Sequence, residues 1–327
     1  MKVLILSAPD DLHADAVNKH LMEMGAPADY FRYNDFIQNC ALSYRLGSAE
    51  PLCRIERDQV RLDLYSYNGI WHRRPGKLVA GKFPEHWITY MVENEARSAL
   101  DGIFDSLRCV WVNYPPHDAT CLQKLYQLDL AAKVGFSIPD SLVTNKPDLV
   151  EKFFEECDGE VIYKLIGESS HLAIPQFESP RGVSTIRLRK EDMPFLNQVS
   201  HAPHLFQRAI SKKFELRVTV VGKELFALKI DSQSGLGKTD WRLDYSVEMV
   251  PFDLPDDIAA KSFELTRRLG LNYGAIDLIV TGDDQYVFLE INCAGQFLWV
   301  EQRTKQPISL ALAKLLTGQT EPLVTIA

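Results

Sequence analysis

The chain has 327 residues, a formal net charge of −8 and 46% hydrophobic residues. A chain of this length is expected to form two or three packed lobes, and its acidic balance argues against a nucleic-acid-coating protein, because backbone binding needs a basic footprint. No apolar run approaches the roughly 20 residues that cross a bilayer, so no membrane association is predicted.

The six cysteines are dispersed along the chain without a Cys-x-x-Cys pair. This spacing suits reduced, mostly buried thiols rather than a disulfide or zinc framework. The first seven residues are too short for a signal peptide and predict a buried strand instead. The expected location is therefore the cytoplasm. The sequence leaves the oligomeric state open, and a homodimer is one arrangement that it allows.

Residues 1–115 predict an N-terminal β-α-β lobe. Strands are expected at 3–7, 30–33, 69–75 and 110–113, an exposed hairpin over 54–64, and helices over 11–24 and 84–107. The Pro115-Pro116 pair marks the end of this lobe. Arg73 and Arg74 end one of its strands. Adjacent arginines can fix a substrate carboxylate, and a structural ion pair explains them equally well.

Residues 116–204 predict a central lobe, with helices over 118–134 and 147–157 and a strand over 160–166. Lys164 lies in the middle of this apolar strand. Burying a lysine is costly unless an anion pairs with it, so Lys164 either binds an anionic ligand or faces solvent from an edge strand. The segment 167–182 has no clear period and predicts a mobile loop.

Residues 205–327 predict a C-terminal lobe that contains a hairpin over 214–230 and helices over 255–269 and 308–316. An extended connector before the hairpin exposes amide and carbonyl groups that can pair with an adenine edge. Glu215 is then near enough to accept a hydrogen bond from a ribose hydroxyl. Arg217 is planar and always charged, which suits phosphate. A surface salt bridge is the alternative interpretation for each side chain.

A second predicted hairpin, over 274–292, carries three oxygen ligands: Asp277, Glu290 and Asn292. Glu290 and Asn292 are two residues apart and point to the same side of a strand, and an antiparallel partner can bring Asp277 beside them. Carboxylate and amide oxygens without His or Cys suit Mg²⁺. An ordinary surface hairpin is the alternative for this pattern taken alone.

In this order, these segments resemble the ATP-grasp superfamily, and most of all the microviridin-type ligases that make graspetides, also called ω-ester-containing peptides. The resemblance covers most of the chain from about residue 70. One departure follows Asn292, where Cys293-Ala294-Gly295 replaces the expected Pro-x-Gly. The matching segments are Trp71–Pro75, Lys124 with Gln127, Tyr163-Lys164, Gln207, Phe214–Gly222, Asp240–Arg242, Gly274–Asp277, Leu289–Asn292 and Gly295–Glu301.

The resemblance implies an α/β chain with an ATP-grasp fold, in which an N-terminal pre-ATP-grasp lobe precedes central and C-terminal lobes that clamp ATP. It also implies ATP and Mg²⁺ as cofactors. The implied site residues are Lys124 and Lys164 for the phosphates, Gln207, Arg208, Ala209 and Ile210 for adenine, Glu215 for ribose, Asp277, Glu290 and Asn292 for Mg²⁺, Arg217, Lys229 and Arg242 for catalysis, and Arg73 and Arg74 for substrate.

The implied reaction activates side-chain carboxylates of a ribosomal precursor peptide, composed of leader and core, as acyl phosphates. A Thr or Ser hydroxyl, or a Lys amine, then displaces the phosphate and closes a ring. The sequence does not decide between ester and amide. A ligase for a small amino acid or a protein tail shares the same scaffold. A nucleotide-binding module without catalysis is a third hypothesis, against which the Lys, Arg and metal-ligand residues count.

Overall fold

The computed structural model describes residues 1–8, 10–167, 185–235, 241 and 246–326. The predicted loop over 167–182 lies outside these residues except for Gly167, and so does Arg242. Across the described ranges, no helix is long and apolar enough to cross a membrane.

The N-terminal lobe is an α/β unit with an additional small sheet. Its elements are β1 (Val3–Ser7), α1 (Leu12–Glu23), β2 (Ala28–Phe31), α2 (Tyr33–Asn39), β3 (Ala41–Arg45), β4 (Leu52–Arg57), β5 (Val60–Asp63), a 3-10 turn (Leu64–Ser66), β6 (Gly69–Arg74), α3 (His86–Ser106) and β7 (Val110–Val112). Strands β2, β1, β6 and β7 form, in this order, a parallel sheet. All of β1 is buried, as expected for a parallel strand covered on both faces. The predicted hairpin over 54–64 is confirmed as β4 and β5, which β3 extends to three strands.

The central lobe is an antiparallel sheet preceded by two helices. Its elements are α4 (Pro115–Cys121), α5 (Lys124–Val134), β8 (Ser141–Thr144), α6 (Pro147–Glu156), β9 (Val161–Lys164), β10 (Ile186–Arg187), a 3-10 helix (Lys190–His201) and β11 (His204–Arg208). The sheet order is β10, β9, β11, β8. The single helix predicted over 118–134 is wrong. Helix α4 ends at Cys121 and α5 begins at Lys124. The side chain of Gln127 bonds to the Cys121 carbonyl at the end of α4.

The C-terminal lobe is a five-stranded antiparallel sheet. Its elements are β12 (Phe214–Val221), β13 (Glu224–Ile230), β14 (Met249–Pro251), α7 (Asp256–Arg268), β15 (Tyr273–Val280), β16 (Tyr286–Asn292), α8 (Leu298–Thr304) and α9 (Ile308–Leu316). The sheet order is β14, β13, β12, β15, β16. Both predicted hairpins are confirmed. Gly222 closes the first with a φ of 54°, a left-handed conformation that glycine adopts without strain.

The two faces of this sheet differ, because successive residues of a strand point to opposite sides. We call one the helix face: its residues Leu216, Val218, Ile276 and Leu278 pack against α5 and α7. We call the other the site face, since it carries Glu215, Arg217, Asp277, Glu290 and Asn292. Beyond these polar residues, the site face continues into a core shared with the N-terminal lobe, formed by residues such as Val221, Tyr273, Trp71 and Phe297.

Candidate active site

The three predicted metal ligands lie on the site face. Asp277 is directly opposite Glu290 in the β15–β16 pairing, and Ala275 is opposite Asn292. Two carboxylates and one amide oxygen fit Mg²⁺, which usually binds one or two protein carboxylates and completes its shell with water and phosphates. The Oδ1 atom of Asn292 accepts a hydrogen bond from the Ala294 amide at 2.9 Å, which orients the amide and leaves Oδ1 a second lone pair.

The described residues contain no cluster of three His, Cys, Asp or Glu side chains suited to a metal ion. The pair Asp277 and Glu290 therefore needs the amide of Asn292 as its third ligand. The pairing of β15 with β16 includes a register shift between Asp277 and Leu278. Irregular pairing of this kind is common beside active sites, where it redirects a side chain.

Arg217 stands next to the metal ligands on β12. It lies opposite Asp277, and its Nη1 donates to Asp277 Oδ1 at 2.9 Å. The residue is 8% exposed. Its guanidinium carbon is 5.8 Å from the ring centre of Trp299, which in turn lies 4.8 Å from the ring of Trp241. The Arg217 side chain is thus held between an ion pair and an aromatic face.

The Nε atom of Arg217 is buried and has no hydrogen-bond partner. A buried donor without a partner costs free energy, so this N–H is suited to a ligand oxygen that reaches the site face. The guanidinium can therefore contact an anion while Nη1 remains bonded to Asp277.

Lys229 does not join this group. It is paired with Leu216 across the β12–β13 ladder, and directly opposed residues share a face of the sheet. Its Nζ accordingly lies over the ring of Phe214, 4.8 Å from the centre, on the helix face. The register of the strands thus places Lys229 on the face opposite to Arg217, which counts against the prediction that it faces a transferred phosphoryl group.

The two predicted phosphate lysines lie on different elements that meet next to the end of β9. Lys124 is the first residue of α5, and its Nζ donates to the Leu165 carbonyl at 2.8 Å, just after β9 ends. Lys164 is the last residue of β9 and lies opposite Leu205. Gln207 is two residues further along β11, so it shares a face with Lys164, and its Nε2 donates to Ser141 Oγ at 2.9 Å.

Only some backbone groups of the connector predicted to bind adenine lack a hydrogen-bond partner among the described residues. The amides of Arg208 and Ala209 donate to the carbonyls of Asp140 and Glu160, at 2.9 and 2.8 Å. The Arg208 side chain turns to α6, where it bonds to a backbone carbonyl. For the Ile210 amide, no hydrogen bond to another described residue is found. Of the connector residues from Arg208 to Ile210, Ile210 therefore keeps its amide free for a base.

Glu215 has a partner that the sequence did not indicate. Lys212 Nζ lies 2.7 Å from Glu215 Oε1, and both side chains are less than a tenth exposed, at 8% and 6%. The neighbouring Lys213 instead pairs with Asp284 at the surface. Two adjacent lysines in a connector give no sequence signal for which one turns inward. Lys212 therefore adds a buried positive charge beside the predicted ribose ligand.

Arg73 and Arg74 have opposite environments. Arg73 is 3% exposed, and its Nε donates to Asp11 Oδ2 at 3.2 Å. Its Nη1 donates to the carbonyls of Ala294 and Gly295. These residues form the turn that follows β16, which we call the metal strand because it carries Glu290 and Asn292. Burial alone would raise the pKa of Asp11, but the adjacent Arg73 holds it below its usual value.

Arg73 therefore links Asp11 of the N-terminal lobe to the turn that follows β16. Its Nη2 is also buried and has no hydrogen-bond partner among the described residues, and the side chain as a whole is only 1% exposed. These contacts favour the structural ion pair over the prediction that Arg73 binds substrate. Arg74 is exposed, and no ion pair to it occurs among the described residues. It remains a candidate substrate ligand.

A buried asparagine joins the same two lobes, and sequence reasoning missed it. Asn113 Oδ1 accepts the amides of Asn272 and Tyr273, each at 2.8 Å. Its Nδ2 donates to the carbonyls of Tyr273 and Cys293 at 2.9 and 3.1 Å. The turn after β16 is thus fixed from the N-terminal lobe by both Asn113 and Arg73.

Comparison with known proteins identifies the architecture. A family model described as the MvdD pre-ATP grasp domain matches residues 2–119. The macrocyclase MdnC of Microcystis aeruginosa MRC, solved bound with precursor peptide MdnA, is 30% identical over 97% of this chain and 100% of its own, with a TM-score of 0.84. This chain belongs to the ATP-grasp ligases of ribosomal peptides. The α/β, ATP-grasp fold expected from the sequence is thereby confirmed.

One further solved structure and one curated relative are also similar to this chain. An ATP-grasp ligase of Chryseobacterium gregarium, solved with ADP and with a leader and core peptide, is 28% identical over 100% of this chain and 99% of its own, with a TM-score of 0.89. N-acetylaspartylglutamate synthase A of Homo sapiens is 22% identical over 225 residues, which are 65% of this chain and 54% of that protein. The chain spans about half the length of the curated relatives it matches. Membership of the ATP-grasp ligases thus rests on the structural neighbours, which align from end to end.

Proposed function

We propose that this protein is an ATP-dependent ligase that joins side-chain carboxylates of a ribosomal precursor peptide to hydroxyl or amine side chains of the same peptide. The observation that carries the proposal is the site face, where Arg217, Asp277, Glu290 and Asn292 lie together. The chain also aligns along 97% of its length with a macrocyclase that was solved with its precursor.

The proposed reaction has two steps. A carboxylate oxygen of the peptide attacks the γ-phosphorus of ATP, the bond from that phosphorus to the bridging oxygen breaks, and ADP leaves. The resulting acyl phosphate is attacked at its carbonyl carbon by a Thr or Ser hydroxyl or a Lys amine. Phosphate leaves with the bonding electrons, and the nucleophile loses its proton. The peptide loses one water for each bond formed.

Within this proposal, Asp277, Glu290 and Asn292 would hold Mg²⁺, which when bound neutralises charge on the phosphates. Arg217 would donate its free Nε–H to the transferred phosphoryl group while Asp277 holds the other end of the guanidinium. Catalysis of phosphoryl transfer is mostly positioning and charge stabilisation. A fixed arginine beside the metal ligands meets both needs.

The nucleotide residues are part of the same proposal. Lys124 and Lys164 would contact the phosphates, the free amide of Ile210 the base and Glu215 the ribose. The lobes proposed from the sequence are 1–115, 116–204 and 205–327, with ATP between the last two. Because β11 (His204–Arg208) pairs with β8 and β9, the central lobe would extend to Arg208. We also propose a cytoplasmic location, which the six free cysteines support.

The similarity to N-acetylaspartylglutamate synthase A favours a second candidate, a carboxylate–amine ligase for a small amino acid. The two functions differ in what stimulates ATP turnover. Purified protein would be incubated with ATP, Mg²⁺ and either free glutamate and aspartate or a candidate precursor peptide with a leader and an acidic core rich in Thr and Lys. We expect ADP formation with the peptide only, and hydroxylamine should trap the acyl phosphate on peptide carboxylates. Turnover with free amino acids but with no peptide would establish the second candidate.

A further inference from the structure

Gln127 binds the backbone of the metal strand from outside the sheet. Its Oε1 accepts the Ile291 amide at 3.0 Å, and its Nε2 donates to the Ile291 carbonyl at 2.9 Å. The same Nε2 also bonds to the carbonyl of Cys121. Gln127 is 4% exposed, so these bonds form away from water. Both backbone polar groups of Ile291 are therefore paired with one side chain.

The position of this contact gives it a function. Ile291 lies between Glu290 and Asn292, and β16 is the edge strand of its sheet, with β15 on one side. On the other side, Ser137 forms an isolated bridge to Val287 and accepts the Phe288 amide at 2.8 Å, but this contact ends before Ile291. In an antiparallel strand, the N–H and C=O of one residue point to the same side. One carboxamide can therefore pair with both, as the peptide of a further strand would. Gln127 acts in place of a sixth strand at the residue between two metal ligands.

We propose that Gln127 is a positioning residue for the Mg²⁺ site, and this rests on the proposed function. By pairing both groups of Ile291, it fixes the backbone that sets the separation of Glu290 and Asn292. The same helix begins at Lys124, one turn earlier, whose Nζ is held by the Leu165 carbonyl. Helix α5 thus supports a phosphate-binding lysine and the metal strand together.

A role in packing alone is the competing explanation, and Leu130 provides the matched control. Leu130 is buried on the same helix and belongs to the core on the helix face, but no hydrogen bond joins its side chain to β16. Leu130→Ala removes packing from this core but leaves both hydrogen bonds between Gln127 and the Ile291 backbone in place. Gln127→Met keeps the length of the side chain and removes both hydrogen-bonding groups. Gln127→Glu keeps the acceptor for the Ile291 amide and loses the donor.

The experiment measures Mn²⁺ affinity in the presence of ADP by electron paramagnetic resonance, together with the melting temperature. We expect Gln127→Met to weaken Mn²⁺ binding about 10- to 100-fold, the usual effect of removing a group that orients metal ligands. Gln127→Glu should fall between this variant and the wild type. Leu130→Ala should lower the melting temperature and leave the affinity unchanged.

Wild-type Mn²⁺ affinity in a folded Gln127→Met protein would overturn the proposal, as would an equal loss of affinity in Leu130→Ala. If Gln127→Met does not fold, Gln127→Glu decides the same question. Failure of the wild type to bind Mn²⁺ with ADP would instead refute the metal site of the proposed function. The two failures are therefore distinguishable.

Discussion

The two faces of the C-terminal sheet are built from the same strands and differ in chemistry. On the helix face, Leu216 and Ile276 are buried against α5 and α7. On the site face, Arg217 and Asp277 occupy the next positions of those strands and form an ion pair. A shift of one residue in the pairing would exchange the two sets. The backbone hydrogen bonds that fix the register therefore also determine which side chains can act together.

Lys229 shows what this difference means for assigning roles. Its charge suits phosphate as well as that of Arg217 does, but it lies on the helix face over Phe214. Residue type and distance along the sequence do not separate these two cations. The strand pairing separates them, because Lys229 is opposite Leu216 whereas Arg217 is opposite Leu228.

The largest expected effect on turnover comes from removing the metal ligands of the site face. Asp277→Ala, Glu290→Ala and Asn292→Ala should each abolish ADP formation, because each removes one of three oxygen ligands. Circular dichroism should show an intact fold. On the helix face, Ile276→Val should cost about 0.5–1.5 kcal/mol of stability and leave turnover nearly unchanged. Near-normal Mg²⁺-dependent turnover in two of the three ligand variants would contradict the assignment.

The next effect compares one cation on each face. Arg217→Ala should lower kcat by about 10²–10³, the usual loss when one preorganised donor is removed from a reacting charge. Lys229→Ala should leave kcat close to the wild-type value, since its ammonium group lies on the other side of the sheet. Steady-state measurement of ADP release would test both variants. Equal losses in the two, or an unchanged kcat for Arg217→Ala, would refute the distinction between the faces.

A smaller effect separates the adjacent residues Arg73 and Arg74. Arg74→Ala should raise the KM for the peptide roughly tenfold, as expected from the loss of one hydrogen bond to a charged group, and leave the melting temperature unchanged. Arg73→Ala should cost about 3–5 kcal/mol of stability, because it removes the ion pair with the half-buried Asp11 and the bonds to the Ala294 and Gly295 carbonyls. Thermal unfolding and peptide titrations would measure the two. A stable Arg73→Ala protein with an increased peptide KM would reverse the assignment.

The sequence predicted the parts of the fold whose pattern is local. The β15–β16 hairpin and its ligands Asp277, Glu290 and Asn292 follow from alternation along two strands and a polar turn, and the structure brings them to one face. The resemblance to ATP-grasp ligases then ordered the three lobes. The hairpin and its three ligands depend on residues close to one another in the sequence.

The missed features all depend on long-range contacts. Gln127 meets Ile291 across 164 residues, and Asn113 meets Tyr273 across 160. A buried glutamine or asparagine has no periodicity that names its partner. The face on which Lys229 lies and the buried environment of Arg73 have the same origin, since strand pairing decides the face of a side chain and the packing of the lobes decides its burial.

The central claim is that the site face drives condensation within a peptide, and the mass of that peptide tests it most directly. A candidate precursor peptide, with a leader and an acidic core rich in Thr and Lys, would be incubated with ATP, Mg²⁺ and either the wild type or Glu290→Ala, and analysed by mass spectrometry. We predict that the wild type lowers the peptide mass by one water per bond formed, and that Glu290→Ala leaves it unchanged. A gain equal to an added amino acid, or an unchanged mass while ADP accumulates, would contradict the account.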